Sequence, residues 1–408
     1  MSSGDAFMPE QPAATQGTTQ PLRKAVFARV ALLVYLLLIS YASLYPFTGW
    51  RISGLAPWSF IAAPLPHYWT GFDLGTNIVG YMPLGILAVF AMYPRIRGVA
   101  AVLIAIVGGI LFSGTMEAVQ TYVPSRISSN LDLLTNAGGT ILGAACAPVL
   151  TRFFFDDSRF LQLRQCWFTH EASRGLLVLS LWPLAQIYPQ SYLFGHGQLL
   201  PIVSGWLGSA LGISVDIGAL LRGSPDFRVE QYWLAEAVIT ACGMTGALLM
   251  LLCILRSRSP RSILVVLLFF TTLAVKALVN ALLFSPENAF DWLTPGAIGG
   301  LLIGLVLLSG LVFAPRVGQR RVAVLMLVVG LLVLNVVPAN PYLIATLQGW
   351  TQGKFLNFNG ASQFVSLLWP FLALWFLLHR SHRADHPSSS NQKTATKSAG
   401  AHNPDLHR

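Results

Sequence analysis

The sequence predicts an all-α fold: a polytopic integral membrane bundle of about ten transmembrane helices, with both termini in the cytoplasm. Three observations predict it. Of 408 residues, 54% are hydrophobic and 10% are charged, and the mean hydropathy is +0.61; soluble chains carry roughly a quarter charged residues. The apolar residues gather into runs of about twenty, enough to cross the ~30 Å of hydrocarbon as a helix. The basic residues sort to alternate ends of those runs, as the positive-inside rule requires.

The runs fall near 25–44, 77–93, 99–120, 131–150, 175–190, 232–254, 262–284, 293–313, 322–338 and 361–378. With the amino terminus inside, Arg23, Lys24 and Arg29 are cytoplasmic, as are Arg95, Arg97, Arg152, Arg159, Arg164 and Arg174. Arg256, Arg258, Arg261, Arg316, Arg320, Arg321, Arg380 and Arg383 join them, leaving Arg51, Arg126, Arg222, Arg228 and Lys354 outside. The formal charge of +10 is therefore topological and implies no nucleic-acid partner. Residues 199–221 are long and apolar, with Asp216 alone charged before Arg222. Counting them as a span would send every later arginine group outside, so they read as a re-entrant or interfacial outer segment.

The first run is too long for a signal peptide's apolar core, and no small-residue cleavage site follows it. Residues 1–22 and 381–408 are polar and are expected to form disordered cytoplasmic tails. Between them, residues 23–152 hold four spans, 153–174 a cytoplasmic linker, and 175–380 six spans. The outer loop Tyr45–Phe72 is rich in Pro and Trp and suits the headgroup level. Cys146, Cys166 and Cys253 fall near the cytoplasmic side and Cys242 within a span, so no outer disulfide is implied. No Cys/His spacing suits a metal, and neither metal nor cofactor is expected. Gly139 with Gly143, and Gly296 with Gly300 and Gly304, mark faces where helix backbones can approach closely.

Charges near a bilayer core are costly, which makes their placement informative. Asp73 and Asn77 lie four apart, Glu117 and Gln120 three apart, and Asp132 and Asn136 four apart. Such spacings put both members on one helix face. Three helices thus each present a carboxylate and a carboxamide toward the outer side, where Arg126 can offer its planar fork. This set is the candidate ligand-binding site. The alternative is a scaffold in which the charges fix helix register and Asp73 and Asp132 act as N-caps. In the second half, Glu236 and Lys276 fall at similar depth, as a possible buried ion pair; the alternative is a proton- or substrate-coupled pair, with Asn280 lining its path. Asn335 is expected to bond across helices.

The ordered combination Asp73-x3-Asn77-x5-Pro83-x-Gly85, Glu117-x2-Gln120-x3-Pro124-x-Arg126 and Asp132-x3-Asn136-x2-Gly139 resembles the VanZ-like membrane family, over Tyr41 to about Arg152. The resemblance implies a cell-envelope role linked to resistance to the glycopeptide teicoplanin, in a multi-pass protein of the bacterial cytoplasmic (inner) membrane. It brings no established reaction. The expected function is non-enzymatic binding of a membrane lipid or a polar lipid-linked or surface component. A secondary transporter or lipid flippase is the alternative, and a membrane-embedded phospho- or glycolipid enzyme stands third. No GxxxxGK[ST], GxGxxG, GxSxG or HExxH motif appears, so nucleotide-driven and common hydrolase chemistries are not expected.

Overall fold

The structure, a computed structural model, describes residues 19–45, 47, 49–52, 54, 56–69, 71–124, 126–151, 163, 165–169, 172–223, 227–284, 286–338, 340 and 356–379. Residues 1–18 of the expected amino-terminal tail, the whole carboxyl-terminal tail, most of the 153–174 linker and Lys354 lie outside this set, whereas residues 19–22, expected in the tail, are helical. Among the described residues the fold is helical and contains no strand. A bilayer offers no partner to an exposed backbone N–H or C=O, so a spanning chain must satisfy them within itself.

The first unit comprises α1 (Thr19–Leu44), α2 (Gly71–Met92), α3 (Gly98–Gln120) and α4 (Asn130–Thr151). The second comprises α5 (Ala172–Ala185), α6 (Leu200–Leu211), α7 (Ile217–Arg222), α8 (Val229–Ile254), α9 (Arg261–Leu283), α10 (Pro295–Leu311), α11 (Arg316–Val336) and α12 (Leu356–Leu378). A helix occupies each of the expected spans. By length and composition α2, α3, α4, α8, α9 and α11 can cross a membrane, whereas α5, α6 and α10 are shorter apolar helices. Large apolar side chains such as Leu103, Val107 and Leu111 on α3, and Ile263, Leu267 and Phe270 on α9, face outward. Faces this apolar need lipid to cover them. The chain is a multi-pass membrane protein.

Residues 199–221 form no single span. Gly212 ends α6 in the left-handed conformation at φ 67°, and the Asp216 side chain then caps α7 through the Ala219 N–H at 3.0 Å. Two short helices joined by a turn occupy this segment.

Close approach at glycine organises both units. On α4, Gly139 and Gly143 lie against the backbone carbonyls of Ile78 and Met82 on α2, leaving no room for a Cβ. On α10, Gly296 and Gly300 meet the α8 backbone at Trp233 and Ala237 in the same way. The central helix of the second unit is α8: 83% of its apolar window is buried, against 17–39% for the other long spans. Around it pack Trp182 and Leu179 of α5, Leu327 of α11, and Trp369 and Phe376 of α12. The two units meet where Tyr41 of α1 sets its ring edge-on to Phe364 of α12, 6.0 Å between centroids.

Arginines close the helix C-termini, whose last carbonyls have no intrahelical partner. Arg29 donates to Ala91 at the end of α2 (3.0 Å), and Arg316 to Leu255 at the end of α8 (2.8 Å). Arg320 donates to Leu377 at the end of α12, and Arg222 to Val336 at the end of α11 (2.5 Å).

Candidate functional site

The residues singled out in the first unit converge where α2 and α4 begin and α3 ends. Ser129 builds the start of α4: its Oγ accepts from the N–H groups of Leu131 (3.1 Å) and Asp132 (3.3 Å). The expected alternative, in which Asp132 caps this helix, gives way to a serine cap. Asp132 is thereby free to turn toward α2, where its Oδ1 accepts from Asn77 Nδ2 at 2.9 Å. Thr135 supports the same amide at 3.3 Å.

Glu117 is 3% exposed at the end of α3. Its Oε2 accepts from the Ser129 N–H at 2.9 Å, and its main-chain carbonyl accepts from Ser128 Oγ at 2.7 Å. A carboxylate at the C-terminus of one helix thus fixes the N-terminus of the next. One turn deeper, Asn136 Nδ2 donates to Ser113 Oγ of α3 at 2.9 Å, and Tyr81 of α2 hydrogen-bonds the same hydroxyl. The buried Asn136 Oδ1 has no partner among the described residues. Asp73 stands exposed in the first turn of α2, within electrostatic reach of Asp132. The outer loop touches this end at two described points: Arg51 N–H donates to Tyr122 O at 3.0 Å, and Asn130 Nδ2 to Ala63 O at 2.6 Å.

Arg126 departs from the expectation. Among the described residues it forms no ion pair with Glu117 or Asp132. Its Nη2 instead donates to the carbonyls of Ala42 (3.3 Å) and Tyr45 (3.2 Å), at the end of α1. Gln120 does the same through Nε2 to Ser43 O at 3.1 Å. The carbonyls at the end of α1 compete for the guanidinium and win by proximity. Burial pulls the Arg126 guanidinium below its ordinary range, and the charges of Glu117 and Asp132 oppose that shift. The site is therefore a net acidic patch with a cation close by but bonded elsewhere.

In the second unit Glu236 and Lys276 are both buried, at 3% and 4% exposure, but they do not pair. Glu236 Oε2 accepts from Thr294 Oγ1 at 2.5 Å. That hydroxyl also caps α10 through Ala297 N–H at 3.1 Å, which draws the carboxylate toward α10 and away from Lys276 on α9. Asn280 is buried one turn from Lys276. Asn335 reaches across to backbone: its Oδ1 accepts from Leu199 (2.7 Å) and Leu200 (2.9 Å) at the start of α6.

One cluster escaped the sequence reading. The expected span 175–190 is helical only to Ala185, after which 186–197 run non-helically through the interior. Inside it His196 is buried between two amides, Gln186 Nε2 at 2.7 Å from His196 Nε2 and Gln190 Nε2 at 2.8 Å from Nδ1. Ser366 of α12 lies 3.2 Å from Nδ1. The available signal was the run of Pro183, Gln186, Pro189, Gln190, Gly195 and Gly197, too polar and too broken for a spanning helix.

No curated protein and no solved structure matches this chain. Over residues 9–151, which take in α1 to α4 and every residue of the acidic site, the sequence matches the VanZ/LLP1 family.

Proposed function

We propose that the α2–α3–α4 site binds a polar, lipid-linked or surface component of the cell envelope through hydroxyl or amine donors. One observation carries the reading: Glu117 and Asp132 are held at the same end of the bundle by amide donors, without an ion pair. Two carboxylates compensated by neutral donors keep acceptor capacity for a ligand. The positive-inside distribution supports an outward-facing position for this end, which suits a multi-pass protein of a bacterial cytoplasmic membrane. Together with the family match, it supports a role in susceptibility to glycopeptides such as teicoplanin.

The test is the Glu117→Gln, Asp132→Asn double variant, expressed beside the wild type in a glycopeptide-sensitive strain. The amides keep shape and remove charge. Expected is a variant with wild-type abundance that no longer raises the teicoplanin concentration tolerated, and that releases lipids the wild type retains through purification. A folded variant with unchanged tolerance and unchanged retained lipid overturns the reading.

A second reading, a secondary transporter or lipid flippase, draws on the interrupted packing after Ala185. Transporters place binding sites at discontinuous helices near mid-membrane. Reconstituted vesicles that move no labelled lipid under a proton gradient would count against it.

A further inference from the structure

We propose that the break between α5 and α6 binds internal water, held by Gln190 and Trp182 beside His196 in the interior of the six-helix unit. The sequence makes the break. Pro183 has no N–H to give the last turn of α5, and Pro189 cannot continue a helix. The 14 residues of α5 span about 21 Å, short of the ~30 Å hydrocarbon layer. Non-helical backbone at such depth persists where protein encloses it or where it lines a water-filled cavity. The chain that follows is interior: Tyr192, Leu193, Phe194 and His196 are each at most 4% exposed. Among the described residues, the N–H groups of Gln190, Tyr192, Leu193 and Phe194 make no hydrogen bond. Buried backbone donors without a protein partner call for water.

Trp182, Gln186, Gln190, His196 and Ser366 meet at the break, and they do not satisfy one another. Gln190 Nε2 donates to Ala185 O at 2.7 Å, and it lies 2.8 Å from His196 Nδ1 and 3.1 Å from Ser366 Oγ. The carbonyl fixes which end of that amide is nitrogen, because an oxygen there would face another oxygen. Gln190 Oε1 is then buried without a partner among the described residues. So is the indole N–H of Trp182, a fully buried side chain. Trp369, whose ring stacks on Trp182 with centroids 6.0 Å apart, gives its own N–H to Val178 O at 2.9 Å. Gln186 is the third case. Its Nε2 donates to Trp182 O at 3.4 Å and lies 2.7 Å from His196 Nε2, while its Oε1 has no partner as placed. Turning Gln186 over would bring its oxygen to the ring and take a donor from Trp182 O. It would change nothing at Gln190 Oε1 or Trp182 Nε1. One acceptor and one donor thus stay unmatched whichever way Gln186 is placed.

A ligand that meets both needs must donate to an amide oxygen and accept from an indole N–H. Water does both, and it is the usual partner of buried polar groups that protein leaves unpaired. Size points the same way. A cavity of about 20 Å³ lies against His196 and Trp369, with Phe194, Gly243 and Leu331 also in its walls. That volume accommodates about one water molecule. Phe194 and Trp369 pack on the Trp182 ring as well, at 5.0 and 6.0 Å between centroids, so the cavity and the unmatched indole belong to one neighbourhood. A cavity with apolar walls alone stays dry; polar groups at its edge are what retain water. The core around α8 is otherwise apolar. The break therefore gives this core a hydrated foothold that a continuous helix, with its ladder complete, does not offer.

The experiment is proton-detected solid-state NMR on the full chain in nanodiscs of deuterated lipid, with ¹⁵N-labelled tryptophan. Magnetisation that starts on water is read at each indole N–H. The two signals are assigned by their loss in Trp182→Phe and Trp369→Phe, or by sequential assignment from the backbone where a variant does not fold. Trp182 is expected to receive water magnetisation several-fold faster than Trp369, because one N–H faces water and the other faces Val178 O. In Gln190→Leu, which removes the matching acceptor, the transfer to Trp182 is expected to slow. No transfer to Trp182, a rate no faster than that of Trp369, or a rate unchanged in Gln190→Leu overturns the proposal. So does a Trp182 cross-peak to the protons of a lipid carried through purification in place of water, which would make the break a lipid pocket.

Discussion

In α1–α4 the buried carboxyl and carboxamide groups gather toward one end of the bundle and are answered by a neighbouring helix start, helix end, amide or hydroxyl. In α5–α12 they are a histidine, glutamines and a serine around a break in the chain, with Lys276 and Glu236 held apart on different helices. The difference follows from depth. At a helix end the orphan N–H groups of the next helix are within reach, so Glu117 finds the Ser129 N–H. Away from the ends the ladders are complete, and a polar group must find another side chain, as Asn136 finds Ser113, or a place where the helix itself stops. The second unit stops α5 at Ala185 to make that space.

The largest expected effect contrasts two glycines. A Cβ at Gly143 would sit on the Met82 carbonyl of α2, and backbone cannot yield without parting the helices. A Cβ at Gly304 meets the flexible end of Met244. Gly143→Ala should therefore lose at least ~3 kcal/mol, the upper end of ordinary overpacking. Gly304→Ala should stay within about 1 kcal/mol, helped by alanine's better helix propensity. Thermal midpoints in detergent and the yield of monodisperse protein read the contrast. Equal losses at both sites would contradict it.

Next in size is Arg126→Ala. Two charge-assisted bonds to the end of α1 disappear, each worth ~1.5–3 kcal/mol when fully buried. Partial exposure of Arg126 brings the total to about 2 kcal/mol. Arg126→Lys should recover part of it, since a point charge cannot hold two carbonyls as a planar fork does. Adding Glu117→Gln to Arg126→Ala should restore nothing. Recovery in that double variant would show that the arginine is a counter-ion to the acids after all.

The arginine also marks where the sequence stops being legible. Apolar runs of about twenty residues locate every long helix, because a bilayer sets their length. The spacings of Asp73 with Asn77 and of Asp132 with Asn136 locate the site, because period and charge together are rare in spans. Neither says what Arg126 bonds, since its acceptors are backbone carbonyls of α1 and carry no side-chain signature. Equal depth paired Glu236 with Lys276, but the Thr294 hydroxyl, a cap residue 58 positions on, took the carboxylate. His196 finds Ser366 across 170 residues of chain, a contact that no local pattern announces.

Helix caps give a smaller and more even effect. Ser129→Ala removes the cap of α4 and should cost ~1 kcal/mol, the usual value for a serine cap. Thr294→Val removes the cap of α10 and also the donor to Glu236, so it should cost about twice as much. Thr294→Ser keeps the hydroxyl and should approach the wild type in the same unfolding assay.

The smallest expected quantity is a coupling energy, and it separates the two units most sharply. Groups in direct contact show interaction energies of roughly 0.5–3 kcal/mol in double-mutant cycles, while independent sites add within about 0.5 kcal/mol. Asn77 and Asp132 are 2.9 Å apart, so Asn77→Leu combined with Asp132→Asn should be clearly non-additive. Glu236→Gln with Lys276→Met should be additive within about 0.5 kcal/mol, because neither side chain is the other's partner. Each cycle needs four unfolding midpoints measured in one detergent. Strong coupling between Glu236 and Lys276 would mean that the lysine reaches the acid after all, and the two units would then compensate buried charge in the same way.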